Sequence, residues 1–170
     1  MKTIELDMWD VKYIPSGHVV DTGTLGPCVG VIIYNPLGKE AYAGHFVAPS
    51  FNELEKMVED ALNTFQTPNN LEIYVAGNSA DTLDAAQRAY ELEVRGTIQR
   101  LLPKYGFTKE QIYIRWSPDS SCANLKLNVD TGKTLLEVFD FLDMIYKGEI
   151  TTAPEEIVKR YEMLELYPDT

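Results

Sequence analysis

Two side chains in this sequence can do nucleophilic chemistry together, and a short stretch of chain separates them. Cys28 opens the apolar run Cys-Val-Gly-Val-Ile-Ile-Tyr after Leu25-Gly26-Pro27, and His45 follows seventeen positions later in Gly44-His45-Phe46. A thiol becomes a nucleophile once a base takes its proton, and imidazole is the side chain best suited to do so near neutral pH. Without such a base, a cysteine opening an apolar strand is inert packing.

Bringing the two together requires particular elements. Residues 28–34 are a nearly continuous apolar run rich in β-branched residues, and Asn35-Pro36-Leu37-Gly38 breaks it before residues 41–47. The two segments read as strands joined by a hairpin turn, whose outer ends meet and set Cys28 beside His45. Upstream, residues 2–14 alternate apolar and polar positions like one half-buried strand that ends at Pro15-Ser16-Gly17. Downstream, Ser50 and Glu53 form a capping box for a helix carrying Phe51, Leu54, Met57, Val58, Ala61 and Leu62 at spacings of three and four.

Residues 71–75 form a central strand running into the small-residue loop Ala76-Gly77-Asn78-Ser79. A long helix over 80–102 then presents Leu83, Ala86, Tyr90, Val94, Ile98 and Leu101 on one side, until Pro103 and Gly106 end it. Residues 111–116 and 123–129 alternate as strands, and Asp130-Thr131-Gly132-Lys133 is a hairpin turn. Residues 134–139 fit a returning strand and 140–146 fit a helix, and the apolar spacing leaves the boundary between them open. Pro154 starts a final helix with Ile157, Val158, Tyr161 and Leu164. Strands, helix, strand, helix and strands again, without regular alternation, imply an α+β fold of layered mixed or antiparallel sheets with helices.

Other chemistries find little support. The chain has two histidines, no Cys-x-x-Cys and no His-Glu-x-x-His, so neither a metal site nor a cofactor is expected. The glycines near 38–44 and 77 lack the pattern of a phosphate cradle. A net charge of -11 sets the chain against nucleic acid and anionic membrane surfaces, because like charges repel. The acidic residues Glu155, Glu156, Glu162, Glu165 and Asp169 read as a solvated face.

No apolar window is long enough for membrane insertion, and residues 1–10 lack the basic-then-apolar order of a secretory signal. With two cysteines and no disulfide framework, the expected setting is cytoplasmic. At 170 residues and 45% hydrophobic content, a single domain over 1–170 is expected.

The motifs Gly26-Pro27-Cys28-Val29-Gly30-Val31, Tyr34-Asn35-Pro36, and Gly44-His45-Phe46 with Pro49 resemble the signature of the CheD family of chemoreceptor glutamine deamidases. Leu71 to Asn78 resembles a family strand ending in a Gly-Gly-Ala-like loop, and Lys126 to Lys133 resembles its closing strand with an Asp-x-x-Thr-Gly turn. The likeness covers about the first 135 residues, which makes residues about 136–170 a C-terminal extension.

The resemblance implies a cysteine-dependent deamidase acting on protein glutamine side chains, with a protein substrate or signalling partner. Its catalytic set falls on Cys28 as nucleophile, His45 as base, and Thr22 as the residue whose hydroxyl orients His45. The departures are Pro27 in place of a serine, a missing second glycine at 77–78, and Ser121-Cys122-Ala123-Asn124 in place of a Gly-Arg element. They leave room for a catalytically silent relative that keeps the pocket as a binding or regulatory module, or for a hydrolase of a small amide.

Overall fold

The computed structural model describes residues 1–47, 51–79, 84–140 and 143–148. In chain order the elements are β1 (Lys2–Glu5), β2 (Val11–Ile14), β3 (His18–Asp21), β4 (Val29–Asn35), β5 (Glu40–Phe46), α1 (Phe51–Phe65), β6 (Glu72–Gly77), α2 (Ala85–Lys104), β7 (Ile112–Trp116), β8 (Cys122–Asn128), β9 (Thr134–Asp140) and β10 (Asp143–Gly148). The strands form two five-stranded sheets, β1-β3-β8-β9-β10 and β2-β5-β4-β6-β7. Parallel pairs β1–β3 and β6–β7 make both sheets mixed, so the fold is the layered α+β class expected.

Strand alternation explains the layers. Ile32 and Tyr34 of β4, with Ala41 and Ala43 of β5, face the first sheet and pack on Val20, Leu125, Leu127, Leu136 and Val138. Val29, Val31 and Ile33, with Ile73 and Val75 of β6, turn the other way onto Leu54, Met57 and Val58 of α1 and Val94, Ile98 and Leu102 of α2. The result is sheet on sheet with helices on the outer face of the second sheet. Because β4 is covered on both faces, all seven of its residues are buried, which suits the apolar run Val29–Tyr34 that precedes Asn35.

The structure departs from the sequence reading in several places. Residues 2–14 are two strands in different sheets rather than one. Asp10 Oδ2 accepts the Asp7 N–H at 2.9 Å, Trp9 takes a positive φ of 74°, and the chain turns a corner there without Gly or Pro. Helix α2 begins at Asp84, whose Oδ1 accepts the N–H groups of Ala86 and Gln87. Its buried side carries Glu91, Val94, Arg95, Ile98, Leu101 and Leu102, while Ala86 and Tyr90 are exposed. Pro103 lies inside the last turn of α2 instead of ending it.

The segment read as helical after residue 139 is strand instead over Asp143–Gly148, where β10 pairs antiparallel with β9. Ser50, Leu83 and the helix proposed from Pro154 lie outside the described residues. No helix among the described residues is long and apolar enough to cross a membrane.

Ile32 is fully buried between the sheets and Leu37 is 71% exposed in the β4–β5 turn. Ile32→Ala is expected to lower unfolding free energy by about 2–5 kcal/mol. Leu37→Ala should change it by less than about 0.5 kcal/mol. Chemical denaturation of the two variants beside the parent chain checks both.

Candidate active site

Cys28 sits in a bend just before β4, and its backbone is held on both sides. Its carbonyl accepts the Asn78 N–H at 2.8 Å, and Gly26 O accepts the Ser79 N–H at 2.8 Å. Leu25 forms a two-bond bridge with Ala123 of β8, which ties this turn to the first sheet. Gly77 is at φ 100°, where a Cβ would lie 2.5 Å from Cys28 O, so the close approach of β6 to the cysteine needs glycine. The side chain of Cys28 joins the apolar cluster between the sheets and is 7% exposed. Burial pushes its thiol above the ordinary thiol pKa. At rest it is the neutral thiol.

The β4–β5 register pairs Gly30 with His45 and Val29 with Phe46. Cys28 precedes Gly30 by two residues, which makes it the diagonal neighbour of His45 across the ladder. Both lie on the inter-sheet side, as the hairpin reading requires. The corner at residues 6–10 fixes the histidine backbone, with Trp9 N–H donating to His45 O and His45 N–H donating to Asp10 O, both at 2.9 Å.

The imidazole is 3% exposed, and its Nδ1 lies 2.7 Å from the backbone carbonyl of Thr22. A carbonyl only accepts, so Nδ1 carries the proton and the lone pair of the neutral ring sits on Nε2. Nε2 is buried and has no hydrogen-bond partner, so no hydrogen bond joins it to the Cys28 thiol in this conformation.

Thr22 therefore reaches His45 through its main chain, contrary to the expectation that its hydroxyl does so. Its Oγ1 donates to Gly23 O at 3.1 Å and accepts the Leu125 N–H at 3.2 Å, while its own N–H donates to Leu125 O at 2.9 Å. Thr22 is thus stapled to β8 from both sides. Gly23 follows at φ 73°, where a Cβ would come within 2.6 Å of Leu6 O and 3.6 Å of His45 Nδ1. Its N–H donates to Asp21 Oδ1 at 2.9 Å, closing a tight turn beneath the ring.

On the other side of Cys28, Asn78 is fully buried at φ 55°. Arg95 of α2 donates from Nε to Asn78 Oδ1 at 2.6 Å and from a terminal nitrogen to Asn78 O at 2.7 Å and Ser117 O at 3.1 Å. The guanidinium stands 5.7 Å from the Trp116 ring centroid. Asn78 Nδ2 has no partner, and leaving a buried donor unpaired costs about 1–3 kcal/mol. Arg95 is the residue the sequence reading missed. The available signal was Glu91, Val94, Arg95 and Ile98 at core spacing, with two charged residues on the face that had to be buried.

The remaining candidates fall elsewhere. Cys122 is a free thiol on the solvent side of the first sheet, opposite Phe139. His18 opens β3, and its Nδ1 faces the carbonyls of Pro15 and Ser16. Ser79 Oγ accepts the Ser121 N–H at 3.0 Å, so it serves the loop it starts. Among the described residues, no three His, Cys, Asp or Glu side chains converge closely enough to ligate a metal ion.

The chain is 27% identical over 92 residues to a protein of Caldanaerobacter subterraneus subsp. tengcongensis described as a probable chemoreceptor glutamine deamidase, CheD. The match covers 46% of this chain and 57% of that protein, so the chain spans little more than half the length of the relative it resembles. No protein-family model matches the chain.

Removing the Thr22 hydroxyl separates the two ways this residue could hold the histidine. Thr22→Ala is expected to cost about 1–2 kcal/mol, because the Leu125 N–H loses its acceptor. The Nδ1–H tautomer of His45 should persist, since the carbonyl remains. Nitrogen NMR of the imidazole reads the tautomer directly, and a switch to Nε2–H in this variant would contradict the carbonyl assignment.

Proposed function

We propose that the chain is a cysteine-dependent amidohydrolase that converts glutamine side chains of a partner protein to glutamate. The observation that carries this reading is the His45 ring, locked with its lone pair on a buried, unpartnered Nε2 on the same face as the Cys28 thiol. A base so placed has given up hydration and received no structural partner in return, which is costly unless the lone pair has a use. The similarity to a CheD protein, and the resemblance of the motifs around both residues to that family's, support glutamine side chains as the substrate class.

In the proposed reaction His45 Nε2 takes the Cys28 proton as Sγ attacks the carboxamide carbon. The S–C bond forms, and the carbonyl π pair moves onto oxygen. When the tetrahedral adduct collapses the C–N bond breaks, the nitrogen takes the proton from His45 and leaves as ammonia. A water molecule, deprotonated by His45 Nε2, then adds to the thioester. Cleavage of the C–S bond returns the proton to Sγ and leaves glutamate. Because burial holds the thiol neutral at rest, the proton moves during attack rather than beforehand. Thr22 acts by keeping the histidine tautomer through its carbonyl.

A second reading draws on that same burial. A thiol 7% exposed, shifted upward in pKa and not hydrogen-bonded to Nε2, also suits a silent CheD-like module that binds a partner without reacting. The partner under either reading is a protein, and the relative's description points to chemoreceptors.

Incubation with the glutamine-bearing signalling domain of a chemoreceptor, followed by peptide mass spectrometry, discriminates between them. The amidohydrolase reading predicts Gln-to-Glu conversion by the parent chain and none by Cys28→Ala. His45→Gln should slow conversion by about 10²- to 10⁴-fold. Conversion that persists in Cys28→Ala would overturn the mechanism. Stable binding of the receptor domain without conversion would favour the silent module.

A further inference from the structure

An attacked carboxamide places negative charge on its oxygen, and that charge needs hydrogen-bond donors already in position. Pro27, next to the nucleophile, has no N–H to give. Across the ladder, however, the β4–β6 register pairs Val29 with Gly77, so the next position sets Asn78 directly opposite Cys28, where its N–H already donates to Cys28 O. The Asn78 side chain is fully buried, and its Nδ2 has no hydrogen-bond partner among the described residues.

The orientation of that amide is fixed rather than free. The Arg95 guanidinium has donors only, so the Asn78 atom 2.6 Å from its Nε must be the oxygen, and the NH₂ group is the one left over. Arg95 also holds Asn78 O and Ser117 O and packs over Trp116, so the clamp is part of the helix face. Asn78 keeps a positive φ of 55°, a conformation that asparagine tolerates better than most residues, and β6 continues as far as Gly77.

Building on the amidohydrolase reading, we propose that Asn78 Nδ2 is a donor to the oxyanion formed on attack by Cys28, and that Arg95 is the positioning residue that presents it. The side chain makes this hydrogen bond to the tetrahedral adduct, whose oxygen carries the charge that the ground-state carboxamide lacks. It takes no part in the proton transfers, which belong to His45.

The test compares two reactions of Cys28, in a Cys122→Ser background so that one thiol reports. Acylation by p-nitrophenyl acetate forms an S–C bond, passes through an oxyanion and expels nitrophenolate. Alkylation by iodoacetamide forms an S–C bond at a saturated carbon, expels iodide and builds no oxyanion. Asn78→Asp keeps an oxygen for Arg95 and loses the donor, and Asn78→Gly keeps the positive φ and loses the side chain.

In both variants the ratio of acylation to alkylation rates is expected to fall by about 10²- to 10³-fold. A parent-like ratio in either variant, with a His45-dependent parent, overturns the role of Asn78 alone. A parent chain whose acylation and alkylation are both unaffected by His45→Gln overturns the amidohydrolase reading, and the role of Asn78 with it. Arg95→Lys is expected to lower the same ratio while leaving the alkylation rate within a few-fold of the parent.

Discussion

A single hydrogen bond across the gap between the sheets, from His45 Nδ1 to the carbonyl of Thr22 at 2.7 Å, organises the candidate site. Its acceptor cannot drift, because Thr22 is bonded to both the N–H and the carbonyl of Leu125 in β8. Its donor cannot drift either, because the corner at residues 6–10 clamps the main chain of His45. One sheet therefore supplies the orienting carbonyl and the other supplies the ring. The tautomer of the histidine becomes a consequence of how the two sheets pack.

The same packing places three chemically capable side chains on adjacent strands of one ladder. His45 on β5, Cys28 just before β4 and Asn78 just after β6 occupy neighbouring backbone positions because β4 pairs with both neighbours through nearly its whole length. Each carries an unmet demand: a thiol made harder to ionise by burial, a lone pair without a donor, and an amide NH₂ without an acceptor. Isolated, each is a cost to folding. In the proposed reaction the three would complement one adduct, which needs a proton removed, a carbon attacked and an oxyanion bound.

The parts of this arrangement that depend on residue type were readable from the sequence. Asn35-Pro36-Leu37-Gly38 announces a turn, the flanking runs announce strands, and the hairpin they make brings residues 28 and 45 together. The layered α+β class follows from the order of the elements. Contributions made by the main chain were not readable, because a carbonyl has no residue letter, and so the hydroxyl of Thr22 was expected to do what its backbone does. The corner at Asp7 to Asp10 was missed for a related reason, since an aspartate accepting from the backbone replaces the usual Gly or Pro. Arg95 was hidden because a charged residue in a helix ordinarily faces water, and only the loop it clamps explains its burial.

The account stands or falls on whether His45 Nε2 serves the Cys28 thiol, and the rate of Cys28 alkylation by iodoacetamide as a function of pH, in the parent chain and in His45→Gln, measures that most directly. The account predicts labelling at neutral pH that depends on His45. In the His45→Gln chain, labelling should survive only at alkaline pH, above the ordinary thiol range, where the buried thiol ionises unaided. Superimposable profiles in the two proteins, both following the raised thiol pKa alone, would contradict it.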